Sequence, residues 1–150
     1  MPIDIDDATR DFIHDRRVAR LATADGGARP SVIPICYVFE DECFYSPIDE
    51  KPKSVDARRL KRVRNIEENP RVALVIDDYS EDWGRLAYVM ITGAAEIITP
   101  VSETAKHARA VEALREKYPQ YRLMAIHERP MIKITPSQIK RWSPADKKPQ

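Results

Sequence analysis

Glycine is scarce, with four in 150 residues: Gly26, Gly27, Gly84 and Gly93. Neither a dinucleotide-binding G-x-G-x-x-G nor a phosphate-cradling G-x-x-x-x-G-K-[ST] can be written with them, which excludes a Rossmann or P-loop route to nucleotides. Cysteine is scarcer still. Cys36 and Cys43 lie in apolar extended stretches with no Cys or His at metal-ligand spacing, so they read as free buried thiols. No apolar run approaches the ~20 residues of a membrane-spanning helix, and MPIDIDDATRDF is acidic where a secretory leader is basic then apolar. A cytoplasmic protein without membrane contact is expected. There is no G-x-S-x-G elbow, Cys-His pair or carboxylate pair at a recognisable spacing, which argues against a self-sufficient hydrolase. His14, His107 and His127 are scattered and read as surface or structural residues.

What the chain has in excess is local positive charge. Seven basic side chains (Lys51, Lys53, Arg58, Arg59, Lys61, Arg62 and Arg64) stand against Asp56 between residues 51 and 64, in a chain of formal net charge +1. A small net charge denies the chain the wide positive field of a nucleic-acid binder, and no aromatics interleave the run, so a local anion is the better counterpart. Arg58 and Arg62 stand four apart on one helical face, with Lys51 and Lys53 just before it, a grouping suited to charge-assisted bonds with a phosphate. The alternative is a solvated helix face paired with Asp49, Glu50, Glu67 and Glu68.

The hydrophobic fraction, 43%, suffices for one core, and residues 1–142 read as a single domain with 143–150 as a disordered polar tail. An amphipathic helix is expected within DDATRDFIHDRR. VARLATA (18–24), the turn Asp25-Gly26-Gly27 and an extended run from Ala28 to Phe39 read as a hairpin whose Asp-Gly supplies the positive φ. Residues 43–47, 71–77, 86–98 and 131–134 read as further strands, several of them apolar on both faces, as in a closed barrel or one wrapped by a partner. Ala57, Leu60, Val63 and Ile66 place a helix over 55–68 that Asn69-Pro70 ends, and a second helix is expected over 101–118 before Pro119. Pro30 and Pro34 leave one side of their strand without N–H groups, where the amides of Ser31 and Ile33 are expected to serve a planar ligand; a proline-protected sheet edge is the plainer reading.

In order, T-A-D-G-G-A-R-P, the V-I-P strand, F-Y-S-P, the basic segment, R-N-I-E-E-N-P-R-V-A-L-V-I-D and W-G-R-L-A-Y-V-M-I-T-G-A-A-E-I-I resemble the pyridoxamine 5'-phosphate oxidase-like family of flavin-binding split barrels, over about residues 15 to 142. IDEKPK, RLKRVRNIEENP and DDYSEDWGRLAYV look most like its branch that uses the deazaflavin coenzyme F420, with the FMN branch as competitor. The resemblance implies a mainly β, α+β fold, a six-stranded split β-barrel with flanking helices, assembled as a homodimer with cofactor sites at the subunit interface. It implies cofactor binding by the strand Ser31, Val32, Ile33 and Pro34, by Ser46 beside the ribityl phosphate, and by Lys51, Lys53, Arg58 and Arg62 at the phosphate. Trp83 and Arg85 are implied to reach the cofactor, from the other subunit. The implied activity is F420-dependent hydride transfer with a conjugated small molecule. FMN chemistry, cofactor binding without turnover, and a structural dimer docking an acidic protein or nucleic acid remain open. The basic segment is longer than in relatives with a compact S-x-K, and RWSPADKKPQ offers only Arg141 for pyridoxal phosphate, so oxidation of pyridoxamine phosphate is not the leading reading. Tyr37, Tyr45, Tyr79 and Tyr88 are the candidate proton donors, with solvent as the alternative.

Overall fold

The computed structural model describes residues 3–48 and 60–144. Helix α1, Asp7–Asp15, starts where the Asp6 carboxylate accepts from Thr9 N–H at 2.8 Å. That bond satisfies an otherwise orphaned donor, and hydrogen bonding by the Thr9 side chain first and its backbone second holds the Asp6 carboxyl below its usual range. The strands are β1 (Ala19–Ala24), β2 (Pro30–Ile35), β3 (Val38–Glu40), β4 (Cys43–Pro47), β5 (Arg71–Asp78), β6 (Ala87–Ile98) and β7 (Met131–Trp142). Helix α2, Lys61–Glu68, lies between β4 and β5, and α3, Thr104–Lys117, between β6 and β7.

All seven strands form one antiparallel sheet in the order β2-β1-β5-β6-β7-β4-β3. Its two outermost strands are consecutive in the chain. Ile35 ends β2 and Val38 begins β3, so three Cα steps, at most ~11 Å, join opposite edges of the sheet. Only a sheet curled round on itself meets that constraint, which makes the fold a split-barrel type.

The described residues hold seven strands instead of the expected six because the extended run over 28–39 is divided at Cys36-Tyr37. There the backbone leaves the β1 ladder for a side chain: Tyr37 N–H donates to the Tyr118 hydroxyl at 3.1 Å, while the Tyr37 carbonyl faces that hydroxyl at 3.0 Å and accepts from Lys117 Nζ at 3.2 Å. The first half of the run pairs with β1 and the second with β4.

Inward residues alternate with outward ones, as the pleat requires. Leu21, Phe44, Val72, Leu74, Ile76, Val89, Ile91, Ile132 and Ile134 fill the barrel, with Phe12 and Ile13 of α1 and Val63 and Ile66 of α2 against it. A second cluster, including Val38, Tyr45, Val111, Leu114, Tyr118, Tyr121 and Met131, lies under α3. The strands are therefore less uniformly apolar than expected: β5 alternates buried with exposed or half-buried positions.

Turn chemistry differs from the sequence expectation at one point. Gly26 and Gly27 occupy the centre of the β1–β2 turn, closed by Ala28 N–H to the Asp25 carbonyl at 3.0 Å, but the positive φ falls on Ala28, at 63°. This is a turn followed by a left-handed residue, one of the standard longer hairpin loops. Between β3 and β4, Asp41 (φ 50°) and Glu42 (φ 63°) form a two-residue loop that carries both positive angles without glycine.

The last strand is longer than the expected 131–134, running to Trp142 across Pro136. It tolerates that proline at a shift in register between Thr92 and Gly93. There a Cβ on Gly93 would stand 2.3 Å from the Thr135 carbonyl oxygen and 2.8 Å from Pro136 Cα. The close approach of two backbones explains this glycine. Helix α2 begins at Lys61 within the described residues; the expected segment 55–59 lies outside them, as do Lys51, Lys53, Arg58 and most of the polar tail.

Candidate functional site

The site follows from where strand pairing lapses. Strand β3 covers only Cys43, Phe44 and Tyr45 of β4, while Ser46 and Pro47 continue along β7 without a partner on their other side among the described residues. Facing them is the open edge of β2. Asp25 N–H donates to the Arg29 carbonyl, which makes these two a bonded pair. Alternation down the register then bonds Ser31, Ile33 and Ile35 to β1 and turns the backbone groups of Pro30, Val32 and Pro34 to the open edge. The prolines sit where no N–H is required. The sequence expectation for the amides is thereby reversed: those of Ser31 and Ile33 face β1, and Val32 supplies the N–H on the open side.

Between the two lapsed edges lies a cleft of about 470 Å³, lined by Val18, Ile33, Pro34, Ile35, Cys36, Ser46, Pro47, Arg62 and Tyr121. It falls in the size range of small-molecule sites and has their character, apolar walls with a few polar groups. Ser46 is 3% exposed and lines the cleft. Arg62 is the charged residue among the described lining. Helix α2 holds it there through two bonds: Asn65 Nδ2 donates to Thr23 Oγ1 at 3.0 Å, both side chains buried, and Gly26 N–H donates to Glu68 Oε1 at 3.0 Å. The R-N-I-E-E run thus clamps the helix to the β1–β2 hairpin.

Of the residues expected from sequence, Ile33, Pro34, Ser46 and Arg62 meet in the cleft. Ser31 and Val32 lie further along β2, Val32 with its side chain 65% exposed on the outer face. Trp83 and Arg85 form an exposed 3₁₀ turn at the β5–β6 tip and are not among the lining of this chain's cleft. Lys51, Lys53 and Arg58 lie outside the described residues. The thiols are free, as expected, but half-buried, and Cys36 lines the cleft.

None of the four candidate tyrosines lines it. Tyr37 is buried with its hydroxyl donating to the Ile13 carbonyl, and burial raises its pKa well above the usual tyrosine value. Burial likewise pushes Tyr45 up to about 12. Tyr79 is exposed at the β5–β6 tip, and Tyr88 stacks on Trp142 with 5.6 Å between ring centroids. The tyrosine that does line the cleft, Tyr121, was not singled out from the sequence. Its signal is indirect: Pro119 ends a helix and starts a 3₁₀ turn, Pro119–Leu123, that swings the next aromatic back to the sheet.

The family model described as pyridoxamine 5'-phosphate oxidase matches residues 5–143, and the chain belongs to that family. No curated protein matches the chain. Solved structures share the fold at low identity. A FAD-binding protein from Mesorhizobium loti matches with TM-score 0.66 and 22% identity, over 89% of this chain and 91% of that one. HutZ, the heme storage protein from Vibrio cholerae, matches with TM-score 0.68 and 16% identity, over 94% and 95%. An F420 reductase matches with TM-score 0.63 and 18% identity, over 91% and 98%.

Proposed function

Taking membership of the pyridoxamine 5'-phosphate oxidase family as premise, we propose that this protein is a homodimeric, F420-dependent oxidoreductase acting on a conjugated small molecule such as an enone, quinone or tetrapyrrole, with FMN as the alternative cofactor. The observation that carries the reading is the cleft itself, where a serine from the buried part of a strand and one arginine stand among apolar walls at a strand edge that is open among the described residues. Those groups fit a flat ring with a phosphate-bearing arm: Arg62 offers two parallel donors to phosphate oxygens, Ser46 a further donor, and Ile33, Pro34 and Pro47 an apolar bed. A bound deazaflavin or flavin supplies the hydride chemistry, and the chain's own groups bind, orient and exclude water.

In the proposed assembly, Lys51, Lys53 and Arg58 extend the phosphate site, and Trp83 and Arg85 reach the partner's cofactor. Support for a second copy comes from the outer face of the sheet, where Val32, Tyr88 and Met90 expose apolar surface, and from Trp83 at 68% exposure. Two such apolar faces bury each other in a two-fold dimer.

A second reading is cofactor binding without turnover, supported by the sharing of this fold with HutZ, a heme storage protein. The readings separate in one series: titrate the purified protein with F420 and with FMN by fluorescence, then look for substrate-dependent reoxidation of reduced F420. F420 is expected to bind more tightly than FMN, and Arg62→Ala with Lys53→Ala to weaken binding by several kcal/mol, since hydrogen bonds to charged groups contribute about 1.5–3 kcal/mol each. Unchanged affinity in the double variant would remove the phosphate assignment. Binding without reoxidation across a panel of enones and quinones would favour the second reading.

A further inference from the structure

Tyr121 belongs to two environments at once. It is buried in the cluster under α3, its ring edge-on to Tyr118 with 5.5 Å between centroids, and it also lines the cleft, as does Cys36, which packs against the same cluster. Besides the turn's own backbone bonds, Tyr121 N–H to the Tyr118 carbonyl at 3.0 Å and Met124 N–H to the Tyr121 carbonyl at 3.3 Å, the Arg115 side chain ties it down. Arg115 Nε donates to the Tyr121 carbonyl at 3.0 Å and Arg115 Nη2 to the Met124 carbonyl at 2.8 Å. The same Nη2 donates to His127 Nδ1 at 2.9 Å, and Arg122 Nε returns to the Arg115 carbonyl at 3.0 Å. A rigid, planar guanidinium bridging two carbonyls three residues apart fixes the turn between them as a unit. A helix residue six positions earlier therefore helps to fix the backbone carrying Tyr121, which lies in a 3₁₀ turn and in no strand ladder.

We propose that Tyr121 is the specificity-determining wall of this cleft, setting how bulky a group can sit beside Cys36, and that Arg115 is its positioning residue. The identity of the natural ligand rests on the proposed function; the wall does not, because a reagent that reaches the Cys36 thiol reads it directly. An ordered aromatic admits a small group past its edge and excludes a large one, since close-packed protein walls do not yield by several ångströms.

The test uses the full chain carrying Cys43→Ser, which leaves Cys36 as its thiol, and follows alkylation by iodoacetamide and by fluorescein maleimide with mass spectrometry. Tyr121→Leu is expected to speed the bulky reagent about tenfold while moving the small one by no more than about twofold, and Tyr121→Phe, which keeps the ring, to match the parent. Arg115→Met is expected to shift the ratio in the same direction, with Arg115→Lys, which keeps one donor, in between. Each variant is first checked for cooperative thermal unfolding; should Arg115→Met not fold, the Arg115→Lys ratio decides the positioning role. Equal acceleration of both reagents in Tyr121→Leu, or of neither, overturns the wall. A parent-like ratio in the folded Arg115 variants overturns the positioning role. F420 and FMN titrations of the parent form a separate arm: binding of neither removes the flavin reading, while the alkylation ratio still decides the wall.

Discussion

The two halves of the barrel solve the same problem differently. On one side, β6 and β7 pair from Tyr88–Trp142 to Ile98–Met131, and β5 pairs with β6 along its whole length. On the other, β2 has a partner on one side only among the described residues, and β3 spans three residues. In the first half, ladders satisfy the backbone. In the second, side chains stand in for missing strands, with the Tyr118 hydroxyl and Lys117 amine on Tyr37 and the Arg115 guanidinium on Tyr121 and Met124. The lesson is that the cleft lies where ladders stop, because only there can a ligand approach backbone edges and inward side chains together.

The largest expected effect lies in the ladder half. Gly93→Ala places a methyl group against the Thr135 carbonyl, and with two backbones in contact neither yields cheaply; a loss of about 3 kcal/mol is expected, read as a melting temperature lower by roughly 6–12 °C. An unchanged melting temperature would mean that the two strands separate easily, contrary to the comparison. Next comes Thr23→Val, which leaves the buried Asn65 amide without its acceptor at a cost of about 1–3 kcal/mol. Since Asn65 anchors the helix that carries Arg62, the proposed function expects F420 or FMN affinity to fall as well; lost stability with intact affinity would separate the clamp from the site.

A pH effect probes the other half. Burial lowers the Lys117 pKa from 10.5 to about 8, so between about pH 8 and 10.5 the unfolded chain holds a proton that the folded chain has released. Stability therefore rises with pH across that window, and Lys117→Met should flatten the rise in urea midpoints measured from pH 7.5 to 10. A slope that survives the substitution would assign it to another group. The smallest effect is a gain: Ala28→Gly relieves a left-handed alanine and should stabilise the hairpin by about 0.5–1 kcal/mol, read in the same denaturation.

Much of the ladder half is legible in the sequence, because alternation and turn residues are local. RVALVID reads as a strand and is one, and Asn69-Pro70 ends α2 as expected. The hairpin after Ala24 is visible from Asp25-Gly26-Gly27, yet the residue that takes the positive φ is not, since loop length sets it and glycine merely permits it. The seam is far less legible. The run over 28–39 has uniform strand propensity, and what divides it is a tyrosine 81 positions later. The order and spacing of family-like motifs point to Ile33, Pro34, Ser46 and Arg62, which meet in one cleft; they do not point to Tyr121, because Pro119 reads as a stop, with nothing local to show what the chain does next.

That Tyr118 serves the backbone of Tyr37 also sets a clock. During synthesis at about 5–20 residues per second, the 81 residues between them take roughly 4–16 s to appear, and until then neither the closing hydroxyl nor the helix bearing Lys117 exists. Over that interval the nascent hairpin presents an unguarded edge at Val32, with Pro30 and Pro34 on either side lacking the donors a stray strand would use. The prolines that flank the open edge in the finished barrel thus also protect the chain while it is still being made.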